Sequence, residues 1–121
     1  MLPAQHRMRR SGDFRDTIRR GHRGRAKCLM MHLAPGSCEA DHAPALVGFV
    51  VPKTVGNAVV RNRVQRRLRH LMRDRIGSLR DGERCVIRVF PPAKGASGEE
   101  LARDLDRAFT KARAVTEESA S

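Results

Sequence analysis

Between Lys53 and Arg73 the chain carries seven Lys or Arg side chains (Lys53, Arg61, Arg63, Arg66, Arg67, Arg69 and Arg73) and not one Asp or Glu. Such a stretch cannot lie inside a core, because an unpaired buried charge is strongly destabilising. Threaded through it, however, Val60, Val64, Leu68 and Leu71 recur at the spacing of a buried helical stripe. Together these facts predict an amphipathic helix over residues 57–75, packed on one side and cationic on the other. At about 100° per residue, Asn62, Arg66, Arg69 and Arg73 line up opposite the apolar stripe.

A helix that is merely solvated intersperses both signs, so that pairs four residues apart attract. The missing acids here point to an external polyanion. The whole chain agrees, since 25 Lys+Arg against 13 Asp+Glu give a formal net charge of +12 in 121 residues, a length suited to one domain. Only Lys27, Lys53, Lys94 and Lys111 are lysines. The remaining cations are arginines, whose planar guanidinium groups suit bidentate phosphate contacts and base stacking, which favours nucleic acid over an acidic protein. A membrane is a poorer fit. The longest apolar run, residues 45–52, falls far short of the roughly 20 residues that span a bilayer. His6, Arg7, Arg9 and Arg10 stand where a signal peptide would be apolar, so a cytoplasmic location is expected. Cys28, Cys38 and Cys85 match no zinc-ligand spacing and are expected to be reduced thiols, with Cys28 and Cys85 filling strand positions.

Elsewhere the punctuation is regular. Ser11 can cap a short helix that places Phe14 and Ile18 on one face and stops at Gly21. Residues 27–33 predict a strand closed by Pro35-Gly36, and residues 37–44 a solvated connection. Residues 46–51 form the best strand pattern, ended by Pro52. After an Asp81-Gly82 turn, residues 85–90 predict a strand stopped by Pro91-Pro92, with Cys85, Ile87 and Val89 on one face and Val86, Arg88 and Phe90 on the other. Ser97 and Glu100 form a capping box ahead of Leu101, Leu105 and Phe109, a helical stripe that runs toward Arg113, and residues 116–121 predict a disordered tail. Phe49, Leu68, Leu101, Leu105 and Phe109 are expected in the core. The order is helix, short strands, long helix, strand, helix, an α+β domain over residues 1–121 with its core at about residues 6–113.

The segment Gly56-Asn57-Ala58-Val59, followed by Arg61-Asn62-Arg63 and further basic residues, resembles the signature of the protein component of bacterial ribonuclease P. His6-Arg7-Met8 leading to Asp13-Phe14, the approach from Leu46 to Lys53, the stretch from Cys85 to Pro92 and the helix at residues 99–111 extend the similarity over nearly the whole chain. The resemblance implies a small α+β sandwich of order αβββαβα with a left-handed βαβ crossover. It implies a non-catalytic protein subunit of an endoribonuclease, whose RNA subunit uses Mg²⁺ to remove the 5′ leader of precursor tRNA. The expected partners are that catalytic RNA and precursor tRNA, with the protein otherwise monomeric. Lys53, Asn57, Arg61, Asn62, Arg63, Arg66, Arg67, Arg69 and Arg73 would face the RNA subunit. Arg9, Phe14, Ile18, Met30, His32, Val50, Arg88 and Phe90 would line a cleft for the single-stranded leader. The chain departs from the family in having no Trp or Tyr and in placing Ile18 and His32 where aromatic side chains are common, so leader binding should rest more on charge. For Phe14 a core role weighs as heavily as a cleft role.

The residues themselves argue against protein-based cleavage, which needs clustered carboxylates for metal ions or a positioned histidine pair. The acids gather mainly in residues 39–41, 81–83, 99–106 and the tail, outside the basic helix and the central strand. His32 and His70 are expected to be structural or merely charge-bearing, and no metal site or protein-bound cofactor is expected. Two competing readings are a ribosomal or RNA-chaperone protein, which leaves the Gly56-Asn57 entry unexplained, and a helix-turn-helix DNA regulator, which lacks a second helix just before Arg61.

Overall fold

The protein is described by a computed structural model, which covers residues 4–35 and 44–120. Along the chain lie α1 (Ser11–Arg20), β1 (His22–Arg25), β2 (Leu29–Ala34), β3 (Leu46–Val50), α2 (Ala58–Arg73), β4 (Arg84–Val89) and α3 (Gly98–Ala120). The strands form one sheet in the order β1-β2-β4-β3, with β3 and β4 parallel and the other pairs antiparallel. Parallel neighbours need a crossover, and α2 supplies it between β3 and β4. Met8 donates its N–H to the Val47 carbonyl at 2.9 Å, and Arg7 bridges Val47 in parallel, so the N-terminal segment covers the outer edge of β3.

Alternation splits the sheet into two faces. Leu29, Met31, Leu33, Val47, Cys85, Ile87 and Val89 pack against Val64, Leu68 and Met72 of α2 and Leu101, Leu105, Ala108 and Ala112 of α3. Phe49 and Phe109 are half-buried against this core. Gly24 lets β1 lie flush on α3, because a Cβ there would collide with the Ala108 carbonyl oxygen and stand 2.7 Å from the Ala112 nitrogen. The other face carries α1.

Several expectations need correction. β1, His22-Arg23-Gly24-Arg25, was not located by hydrophobic patterning, since it is a polar strand held by pairing with β2. Ser11 is the first helical residue and not the cap. The Arg10 carbonyl already accepts from Asp13 at 3.1 Å and Phe14 at 3.3 Å, and no side chain caps α1. Cys28 is buried just before β2 and not within it. The helical backbone of α3 runs to Ala120. Cys38 and the connection at residues 36–43 lie outside the described residues. The capping box at the start of α3 is present, with Ser97 Oγ accepting from the Glu100 N–H at 3.1 Å. No helix among the described residues is long and apolar enough to cross a membrane.

Candidate nucleic-acid interface

Asn57 starts α2 by accepting the Val60 N–H on its Oδ1 at 3.0 Å, which satisfies one of the free amides of the first turn. Val64, Leu68 and Met72 are the fully buried residues of the helix, with Val60 and Leu71 half-buried beside them. The outward side carries Asn62, Arg63, Arg66, His70 and Arg73, all exposed, and Lys53 is exposed in the 3-10 turn that precedes the helix. No acidic side chain lies on α2. The pairing of Arg73 with Asp74 is long, at 3.8 Å, and exposed, so it holds the Arg73 charge weakly.

Two arginines assigned to the RNA face serve differently. Arg61 precedes Leu68 by seven residues and so shares its meridian. It is half-buried, and its Nε is buried without a hydrogen-bond partner among the described residues. Arg67 points to the flank where α2 meets the start of α3, and donates to the Ala96 carbonyl at 3.4 Å. Arg69 is half-buried. The outward surface is therefore centred on Asn62, Arg63, Arg66 and Arg73, with Arg61 turned inward and Arg67 and Arg69 on its two sides. Arg66, Arg67, His70, Leu71 and Gly98 line a groove of about 520 Å³ between α2 and the start of α3.

The opposite face of the sheet holds the second set of predicted residues. Residues paired across strands point to the same side, so the registers place Arg23, His32, Val86 and Gly48 in one row and Arg25, Met30, Arg88 and Val50 in the next. α1 lies over the first row. The Phe14 ring rests on Gly48, where a Cβ would collide with it, and Asp13 reaches Arg84 at 3.2 Å. The second row stays open across all four strands, with Arg25 and Arg88 exposed and Met30 and Val50 half-buried. At its end the Arg25 guanidinium sits 5.0 Å over the Phe90 ring, a cation–π contact. Ile18 is half-buried on α1 and Arg9 is exposed just ahead of it.

His32 does not present a contact surface. It is 1% exposed, and neither ring nitrogen has a hydrogen-bond partner among the described residues. Burial, reinforced by the charges of Arg88 and Arg23, pushes its pKa down to about 4. Phe14 combines its two readings, since it anchors α1 to Gly48 and remains half-buried beside the open row. Arg25 was missed at the sequence level. Its only signal is the alternation of Arg23 and Arg25 about Gly24, which is too short to distinguish from a basic loop. Among the described residues no group of three or more His, Cys, Asp or Glu side chains is placed to hold a metal ion.

The chain resembles known proteins over most of its length. Residues 2–113 match the family model described as Ribonuclease P. A "Ribonuclease P protein component" from Nocardioides sp. is 50% identical over 111 residues, covering 92% of this chain and 94% of that one. Another from Streptomyces avermitilis is 47% identical over 117 residues, with the same 92% and 94% coverage. In fold, the chain superposes on the RNase P protein of Staphylococcus aureus with a TM-score of 0.74 at 23% identity, covering 87% of this chain and 93% of that one. For the RNase P protein from Thermotoga maritima the TM-score is 0.68 at 18% identity, covering 82% and 90%. An acid-free cationic helix crossing between two parallel strands, and matches of this extent, place the chain in one family: it belongs to the ribonuclease P protein family.

Proposed function

We propose that this protein is the RNA-binding subunit of ribonuclease P, helping a catalytic RNA to remove the 5′ leader from precursor tRNA in the cytoplasm. The observation that carries the reading is the outward face of α2, where Asn62, Arg63, Arg66 and Arg73 are exposed on a helix with no acidic residue. Side chains three and four residues apart on a helix lie about 5–6 Å from one another, close to the repeat of successive phosphates. Several can therefore engage one RNA backbone together.

On the opposite face, the open row of Arg25, Met30, Arg88 and Val50, ended by Phe90, suits a single strand lying across the sheet. Two guanidinium groups there would meet phosphates, while Met30, Val50 and the Phe90 ring offer apolar surface to unstacked bases. With α2 on one side of the sheet and the row on the other, the protein can hold both RNAs at once. Mg²⁺ bound by the RNA subunit would supply the activated water and stabilise the leaving oxygen. The protein's residues neutralise phosphates and position the leader.

The decisive experiment is cleavage of a precursor tRNA by the RNA subunit at low Mg²⁺, with and without this protein. A gain in turnover is expected. No gain, together with equal affinity for the RNA subunit and for an arbitrary polyanion, would overturn the reading.

A further inference from the structure

Val59 is 73% exposed, and it shares with Val115, at 38%, the place of exposed large hydrophobic residue among those described. Single surface hydrophobics are ordinary, but the position of this one is not. Nine residues, or about 900° of turn, separate Val59 from Leu68, so it points directly away from the core. It precedes Arg63 by four residues and Arg66 by seven, which puts it on their outward line in the first turn of α2. The fold gains nothing from a valine there, since a β-branched residue is a weaker helix former than Ala, Lys or Arg and this side chain meets solvent.

We infer that Val59 is an apolar contact for an unpaired nucleotide of the RNA that α2 engages, packing on a base while Arg63 and Arg66, further along the same face, hold phosphates of the adjoining backbone. This inference rests on the proposal that α2 docks on RNA. A paired A-form helix keeps its base faces stacked, and the groove it opens to proteins shows ribose hydroxyls and base edges. The broad apolar surface that RNA can offer is the face of a base outside a duplex. Val59 accordingly converts a generally cationic helix into one that prefers a particular irregular point in a folded RNA.

The test compares the full-length protein with its Val59→Thr and Val59→Leu variants, measuring binding to the catalytic RNA of ribonuclease P and to a fully paired RNA duplex over a range of NaCl. Threonine keeps the shape and replaces one methyl by a hydroxyl, while leucine keeps the apolar character. Val59→Thr should bind the catalytic RNA about tenfold more weakly, with an unchanged slope of log affinity against log salt, because no phosphate contact is lost. Its affinity for the duplex should not change, and Val59→Leu should bind the catalytic RNA as the parent does. Unchanged binding of Val59→Thr to the catalytic RNA, an equal loss on the duplex, or an equal loss in Val59→Leu would each overturn the inference. Arg66→Ala separates it from the reading on which it rests. If that variant lowers neither the affinity nor the salt slope, α2 itself is not the RNA-binding surface.

Discussion

Arg113 grips Glu83 with both ends of its guanidinium, Nη1 donating to Oε2 at 2.6 Å and Nη2 to Oε1 at 2.7 Å. The Glu83 side chain is 4% exposed and that of Arg113 16%. The pair therefore ties α3 to the start of β4 in a nearly dry environment, and Arg113 adds a bond to the Ser78 carbonyl at 3.2 Å and stacks over Phe109 at 5.0 Å. Removing one member strands the other charge, which is far more damaging than losing a surface pair. Arg113→Ala should lower stability by about 3 kcal/mol. Denaturant unfolding checks this, and a change within a few tenths of a kcal/mol would show that Glu83 finds other partners.

The cationic face of α2 makes a second prediction. Arg63→Ala with Arg66→Ala should weaken binding to the RNA subunit and reduce the slope of log affinity against log salt by about 2, near one for each lost phosphate contact. Both side chains are exposed, so thermal unfolding followed by circular dichroism should match the parent. A lowered melting temperature would instead assign them a structural role.

Gly48 carries a third. Because the Phe14 ring rests where a Cβ would stand, Gly48→Ala should displace α1 from the sheet and cost about 1–3 kcal/mol. The surface beside α1 is the proposed leader site, whereas α2 lies on the other side of the sheet. Affinity for a leader-bearing precursor tRNA should fall relative to one lacking the leader, while affinity for the RNA subunit stays near the parent value. Equal losses for both RNAs would contradict this division of the surface.

His32 predicts a pH dependence. Its folded pKa is lowered from 6.5 to about 4, so between those values the unfolded chain takes up a proton that the folded protein refuses. Its contribution to stability is then present above pH 6.5 and is lost as pH falls toward about 4, with a slope of up to about 1.4 kcal/mol per pH unit. His32→Gln should flatten the stability profile in that interval, measured by urea unfolding at a series of pH values. An unaltered profile would mean that other groups set the acid sensitivity.

Thiol reactivity provides the fifth. Burial raises the Cys85 thiol to about 12, helped by the Glu83 carboxylate, with Arg113 opposing. Burial and the Asp104 carboxylate raise Cys28 to about 11. Since the thiolate is the nucleophile, iodoacetamide should leave both unmodified in the native protein at neutral pH and label both in urea, as mapped by mass spectrometry. Rapid native labelling of Cys28 would show that its site opens.

Much of the fold was legible because several segments each carry their own period. α2 could be read from Val64 and Leu68 against Arg66 and Arg73, and β4 from the alternation of Cys85, Ile87 and Val89 with Val86 and Arg88. The start of α3 followed from Ser97 and Glu100. β1 was not legible, since a strand of His, Arg, Gly and Arg has no apolar alternation and exists through its pairing with β2. His32 was misjudged for a related reason. Its strand position is visible in sequence, but whether a helix covers that side depends on where α1 lands.

What the sequence determined by itself was the cationic helix, its buried stripe and, through the resemblance of that segment, the family. These are local properties, set by side-chain spacing within a few turns of one element. The tertiary structure alone decided that β4 lies between β2 and β3, and that Arg25, Met30, Arg88 and Val50 share a row left open beside α1. Those outcomes depend on which strands pair and where α1 packs on the sheet, and both are contacts between residues far apart in the chain.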